Sequence, residues 1–314
     1  ARGAQLEADW NALFAAYEQQ YPDLAQAFLR RQHGELPADF FHATTQAWLS
    51  FQADPKATAT RKASQQCLEV IAEHVPELFG GSADLSGSNC TLTSSSSAYT
   101  PAHLKGNYLH YGVRELAMSA IMNGIALHGG LIPFGGTFLV FSDYARSAIR
   151  LSALMKTRVI YVLTHDSIGV GEDGPTHQPV EQLAALRLIP QLQVWRPASA
   201  AETLLAWRSA CEYQGPSCLA LSRQEMPAIS RSVDMAEMSR GAYIAYQAPG
   251  DTDCLIMASG SEVGIALRAA QVLEQEGVAA RVISVPCLER LAEQPAEVLA
   301  SLMPRSVEVR LAIE

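Results

Sequence analysis

The sequence predicts an α/β protein: a doubly wound, mostly parallel sheet, followed by an incomplete second α/β domain. Three observations predict it. From about Thr60 to Arg231, short strand-like runs alternate with segments of helical period. The runs RVIYVLT and SCLALSR are apolar nearly throughout, as strands covered on both faces are. Near Asp253 the alternation starts afresh with DCLIMAS and stops at VEVRLAIE, a stretch short for an independent domain.

Residues 5–32 read as helix, with Trp10, Leu13, Phe14 and Tyr17 on one apolar stripe. HGELPADF interrupts it, and a polar helix continues to about Ala53. Residues 1–59 thus form a helical connector whose apolar faces need a larger body to pack on. KASQQCLEVIAEHV, VRELAMSAIMNGIALHGG and FLVFSDYARSAIRLSALMKT read as helices, the second closed by a glycine pair suited to a left-handed cap. RVIYVLT is a buried strand, PVEQLAALRLI a helix with proline near its first turn, and LQVWRPAS a strand. SAAETLLAWRSACEY opens on Ser199 and Glu202 at capping-box spacing, and SCLALSR closes the α/β domain of residues 60–231. After a linker, residues 232–314 hold the strand DCLIMAS, a helix ended by Gly277, the strand VAARVISVP, a helix over 288–301 and a final strand.

Composition narrows the function. The 314 residues suffice for one large core or two smaller ones. A formal charge of −9 argues against a non-specific nucleic-acid binder, so an anionic ligand needs a local cluster of cationic groups or backbone N–H groups. The 6 cysteines show neither CxxC nor metal-ligand spacing, which reads as reduced thiols in a cytosolic protein. No apolar run reaches the roughly 18 residues of a membrane span, and no signal peptide is visible. The chain opens without Met inside a helix and stops on a strand, and so reads as a fragment of a longer polypeptide.

One loop stands apart. HDSIGVGEDGPTHQP, residues 165–179, leaves a buried strand carrying His165, Asp166, Glu172, Asp173 and His177, with glycines among them. Open parallel sheets hold ligands beyond the carboxyl ends of their strands. Arg223 ends SCLALSR, and Asp84 and Ser88 in GGSADLSGSN follow the strand at ELFG, so three strand ends feed one edge. His165 and Arg223 suit an anion, Ser88 adds a hydroxyl, and Arg61 lies just before a helix. A helix starting near His177–Pro179 directs N–H groups at the same loop. The competing reading makes Arg61 and Arg223 surface ion pairs. Asp173 and His177, four apart, are either ligand-facing or a helix cap with a solvated histidine. Glu115 lies one turn into an apolar helix. Facing inward it is a desolvated acid able to pass a proton to a ring nitrogen, and facing outward it is a helix-start charge. Phe138, Phe141 and Tyr144 recur at helical spacing, and such a stripe is usually core.

Together GGSADLSGSN, GNYLHYGVRE, GGTFLVFSDYAR, HDSIGVGEDGPTHQPVEQLAALR and LSRQ resemble transketolase, a thiamine diphosphate enzyme family. The initial HD is closer to transketolase than to the related deoxyxylulose phosphate synthases or pyruvate dehydrogenase beta-type subunits. The resemblance covers the whole chain: the connector, a thiamine diphosphate-binding pyrimidine domain and the first part of a third domain. It implies transfer of a two-carbon ketol unit from a ketose phosphate to an aldose phosphate in the pentose phosphate pathway. It also implies a cytoplasmic homodimer that binds sugar phosphates and neither nucleic acid nor membrane.

The resemblance assigns roles residue by residue. Glu115 matches the glutamate that hydrogen-bonds the aminopyrimidine and promotes its imino tautomer. Phe138, Phe141 and Tyr144 match the aromatic pocket around that ring, reversing the core reading of the stripe. Arg61, Ser88, His165 and Arg223 match a sugar-phosphate clamp. Asp173 matches a reader of the C2 hydroxyl, and His177 a histidine near the reacting carbonyl oxygens. Asp84 matches a residue near the cofactor at the dimer interface. The family's first domain binds the diphosphate and a divalent metal, Mg2+ or Ca2+, through a GDG motif followed by asparagine. This sequence has no such motif, since GEDG at 171–174 leads into PTHQ instead. The resemblance therefore implies only the pyrimidine half of each site and a chain inactive alone. Two alternatives stay open: the second subunit of a naturally split transketolase, and a non-catalytic module that kept the fold.

Overall fold

The computed structural model describes residues 1–229 and 231–314. Three helices open the chain: α1 (Arg2–Gln20), α2 (Pro22–Gln32) and α3 (Ala38–Ala53). The helix expected over 5–32 breaks at Tyr21, because Pro22 has no N–H to donate and takes the first position of α2. No side chain of α1 is buried, and its Phe14 ring meets Phe28 of α2 at 5.6 Å. α2 is anchored by Arg30, whose guanidinium donates to both carboxylate oxygens of the buried Glu77, at 2.5 and 2.9 Å. α3 buries Phe40 and Trp48 in the main core.

The first sheet is built from α4 (Thr60–His74), β1 (Leu78–Ser82), α5 (Ser86–Asn89), β2 (Tyr108–His110), α6 (Glu115–His128), β3 (Ile132–Phe138), α7 (Ser142–Met155), β4 (Ile160–Thr164), α8 (Gln182–Arg187), β5 (Gln193–Trp195), α9 (Ala200–Glu212) and β6 (Ser217–Leu221). Its order is β2-β1-β3-β4-β6-β5, with every pairing parallel. Alternation along β4 shows why the sheet is doubly wound. Ile160 and Val162 join a core with α3, α4 and α9, while Tyr161 and Leu163 join one with α6, α7 and α8. All five residues of β4 are buried, as a continuous apolar run predicts.

Strand β3, IPFGGTF, carries Pro133 and two glycines, residues that are uncommon inside strands. The glycines are there for packing. A Cβ on Gly135 would lie 2.6 Å from the Met122 sulfur, and one on Gly136 would lie 2.8 Å from Thr91 Cγ2. The cap of α9 also differs in detail. Ser199 Oγ accepts from Glu202 N at 3.2 Å, but the Glu202 carboxylate accepts from Ala198 N at 2.6 Å rather than from Ser199 N.

The second sheet follows: α10 (Met235–Met238), β7 (Tyr243–Gln247), β8 (Cys254–Ala258), α11 (Ser261–Gln275), β9 (Ala280–Ser284), α12 (Leu288–Ala292), α13 (Ala296–Leu302) and β10 (Val309–Ile313). It is mixed, ordered β10-β8-β9-β7, with β7 antiparallel to β9. The helix expected over 288–301 is two, parted before Pro295. Two buried polar hubs join the sheets. Arg196, 2% exposed, donates from Nε to Asp166 Oδ2 at 3.0 Å and pairs with Glu262. Glu202 Oε1 accepts from Tyr243 Oη and Ser284 Oγ, each at 2.7 Å. Among the described residues, no helix is long and apolar enough to cross a membrane.

Candidate functional site

Because the first sheet is parallel, the residues that follow its strands gather at one edge. Glu115 follows β2, Asp84 and Ser88 follow β1, Phe141 follows β3, the loop from His165 follows β4, and Arg223 follows β6. The backbone of His165 turns sharply as it leaves β4, with φ of +60°, a left-handed conformation. That turn packs its ring on Phe138, with centroids 3.7 Å apart and planes 25° apart.

Four of the expected residues act on His165 electrostatically. Burial pushes its pKa down to about 4, Arg61, Arg223 and His177 push the same way, and Asp173 opposes them. The residue is only 3% exposed. Arg61 stands at the start of α4, which is tied to the end of β6: Thr60 N donates to Ser222 Oγ at 2.9 Å. Its Nη1 donates to the Ser88 carbonyl at 2.6 Å, while its Nε is buried without a hydrogen-bond partner. Ser88 therefore meets Arg61 through its backbone carbonyl. Gly171, at φ +81°, comes so near Arg223 that a Cβ there would lie 3.4 Å from the guanidinium carbon. The loop and the end of β6 are further joined by Gln224 Nε2, which donates to Ser167 Oγ at 3.2 Å.

The aromatic residues form a wall beside this cluster. Phe138 and Phe141 are parallel at 5.7 Å, and His177 meets Phe141 edge-on at 5.3 Å. Tyr144 lies 6.0 Å from Phe141 and is 67% exposed. Glu115 faces inward: it is 7% exposed, and Thr137, the residue before Phe138, donates to its Oε1 at 3.2 Å. The helix-start charge facing water is thereby replaced by a carboxyl against the sheet.

One expectation changes. The helix expected near His177–Pro179 begins only at Gln182, after a single 3₁₀ turn over Pro175–His177. The Val180 N–H is taken by Gln182 Oε1 at 2.9 Å, so that group is not free for a ligand. Asp84 is exposed at φ +65°, and its carboxylate has no hydrogen-bond partner among the described residues.

Sequence reasoning missed a buried chain beneath His165. Thr164 Oγ1 lies 2.9 Å from His165 Nδ1 and donates to Asn89 Oδ1 at 2.7 Å, and Asn89 Nδ2 donates to Ser82 Oγ at 3.1 Å. A polar residue closing the apolar run RVIYVLT was the available signal.

Residues 56–228 match the transketolase pyrimidine-binding domain family, and residues 241–314 match the transketolase-like C-terminal domain family. Transketolase 2 of Vibrio vulnificus (strain CMCP6) is 49% identical over 314 residues, across 99% of this chain and 47% of that protein. A crystal structure of transketolase from Pichia stipitis, in complex with sedoheptulose-7-phosphate, superposes with a TM-score of 0.92 at 44% identity. It covers 100% of this chain and 46% of that one. A split-gene transketolase described as an inactive β4 tetramer superposes with a TM-score of 0.64 at 29% identity, over 82% of this chain and 78% of that one. The chain spans about half the length of the curated relatives it matches, 47% for the Vibrio protein.

Proposed function

The chain belongs to the transketolase family, and on that premise we propose that it supplies the pyrimidine-side and sugar-phosphate-side half of a ketol-transfer site. The reaction moves a two-carbon ketol unit from a ketose phosphate to an aldose phosphate. The observation that carries this reading is the grouping of Arg61, Asp173, His177 and Arg223 around a buried His165, beside the Phe138–Phe141 wall.

The residues fit a thiamine pyrimidine. An aromatic wall suits a flat ring, and Glu115 offers a desolvated carboxyl held by Thr137 on the same strand as Phe138. Bound there, thiamine diphosphate supplies carbanion stabilisation beside the ketose carbonyl. Glu115 holds a proton at a pyrimidine nitrogen, and Phe138, Phe141 and Tyr144 orient the ring. Arg61 and Arg223 grip the phosphate, with Ser88 and His165 beside them. Asp173 accepts from a sugar hydroxyl, and His177 moves a proton at the carbonyl oxygen. Asp84 belongs near the cofactor where two subunits meet in a full-length homodimer. The diphosphate and its divalent metal, Mg2+ or Ca2+, fall to the part of the relatives this chain does not match, and the chain alone is inactive.

A second reading makes the chain one subunit of a split enzyme, and the likeness to a split-gene transketolase of comparable span favours it. Both readings require Glu115. Glu115→Ala in a full-length parent is expected to lower ketol transfer by about 10²–10⁴-fold, the usual loss of a positioned acid. Unchanged transfer would refute both readings and leave a non-catalytic module.

A further inference from the structure

We propose that Arg196 is a positioning residue: through it the second sheet fixes Asp166, and with Asp166 the neighbouring His165, at the edge where the candidate site lies. Only what that edge grips rests on the sugar-phosphate reading.

Arg196 follows β5 of the first sheet, yet its backbone is bonded to the second. Its N–H donates to Pro286 O at 2.7 Å, and its carbonyl accepts from Gly260 N at 3.0 Å. The guanidinium divides between the sheets. Nη1 donates to Ser259 O and Ser259 Oγ, each at 3.3 Å, and pairs with Glu262, while Nη2 donates to Ser261 Oγ at 3.2 Å. Nε turns to the first sheet and donates to Asp166 Oδ2 at 3.0 Å. A guanidinium is planar, so its donors turn together, and the second sheet sets the direction of Nε. Gly260 packs tightly against the same side chain, since a Cβ there would stand 2.8 Å from Arg196 Cγ.

Asp166 has little else to hold its side chain. Its Oδ1 is buried without a hydrogen-bond partner, so among side chains Arg196 alone binds the carboxylate. Burial raises the Asp166 pKa and Arg196 pulls it back, so the charge belongs beside the guanidinium. Asp166 N also donates to Leu221 O at 3.2 Å, two residues before Arg223. The far end of the loop is tied to the same place. Arg187, which closes α8, pairs with Glu314, and Glu314 Oε1 accepts from Ser259 Oγ at 2.8 Å. Between the two ties Ile168, Glu172 and Asp173 are exposed. A buried ion pair adds little net stability over a well-packed apolar pair, and its gain here is one fixed arrangement.

Proton spectra of the histidine-labelled chain test this. The His165 ring signals, assigned by their loss in His165→Asn, are displaced by the Phe138 ring stacked 3.7 Å away. Arg196→Lys keeps the charge and loses the fork, and is expected to move these signals toward those of an unstacked histidine. Tyr243→Phe loosens the Glu202 junction of the same two sheets, which does not touch the loop, and is expected to leave them in place. Unmoved signals in a folded Arg196→Lys overturn the proposal, and so does equal movement in Tyr243→Phe. If Arg196→Lys does not fold, Glu262→Ala decides, because its side chain is 17% exposed and tolerates loss better. Signals that stay in place in that variant overturn transmission from the second sheet. Calorimetry with sedoheptulose-7-phosphate reads the consequence. Arg196→Lys is expected to weaken binding about tenfold to a hundredfold, the scale of loss for groups misplaced by about 1 Å, and Tyr243→Phe to leave it unchanged. Equal affinities in the wild type and a folded Arg196→Lys overturn the positioning role. No binding by the wild type overturns the sugar-phosphate reading instead, and the spectra then decide the positioning role.

Discussion

Acidifying the protein from pH 7.5 to 5.5 should remove folding stability through His165, and His165→Asn should abolish that part of the loss. The histidine's folded pKa, about 4, lies below its ordinary 6.5. In the window between these values the unfolded chain binds the proton and the folded chain does not, so stability falls as pH falls. Above about 6.5 both states are neutral and the effect vanishes; below about 4 it is complete. At 1.36 kcal/mol per pH unit the full cost is about 3 kcal/mol, trimmed to about 2 by solvent reaching the mouth of the loop. By pH 5.5 about 1 kcal/mol of it is expressed. Asparagine does not titrate and tolerates the φ of +60° better than most residues, so its own cost is the same at every pH. Urea unfolding followed by circular dichroism at pH 7.5, 6.5 and 5.5 gives both stability curves. The wild type should lose about 1 kcal/mol more than the variant between the end points. Parallel curves would refute the claim that the ring is buried neutral among Arg61, Arg223 and His177.

Other perturbations read other parts of the fold. Arg61→Ala and Arg223→Ala should each weaken sugar-phosphate binding about tenfold to a hundredfold, the loss of a hydrogen bond between charged partners, measured by calorimetry. Glu202→Ala strands the Tyr243 and Ser284 hydroxyls and the Ala198 N–H between the two sheets, and should cost about 3 kcal/mol in urea unfolding. Gly81→Ala places a methyl 2.7 Å from the Leu109 carbonyl on the neighbouring strand, and should cost about 1–3 kcal/mol by overpacking.

What the sequence made legible was whatever rests on local pattern. The apolar run of β4 announced a two-sided parallel strand, and five ionisable groups after it announced a ligand edge. Strand β3 was hidden because its glycines serve the neighbours Met118, Met122, Thr91 and Asn89, contacts that no local pattern records. The short strands β2 and β7 were hidden for a related reason. Three residues of β2 carry too little period to read, and β7 is a half-covered strand in which buried and partly buried residues alternate. The start of α8 was misplaced because Pro179 suggested a first turn, whereas a 3₁₀ turn and the Gln182 side chain take that stretch. Glu115 was undecidable from spacing alone, and only its bond from Thr137 and its burial give its direction. The Ser82–Asn89–Thr164 chain joins three separate segments, so nothing short of the fold brings it into view.

The proposed division of the site between this chain and a diphosphate-binding domain is tested most directly by reconstitution. Ketol transfer is measured with the purified chain, with thiamine diphosphate and Mg2+ present, alone and after mixing with a separately produced diphosphate-binding domain of a transketolase. No turnover alone, and turnover in the mixture that Glu115→Ala abolishes, is the predicted result. Steady turnover by the chain by itself would contradict it.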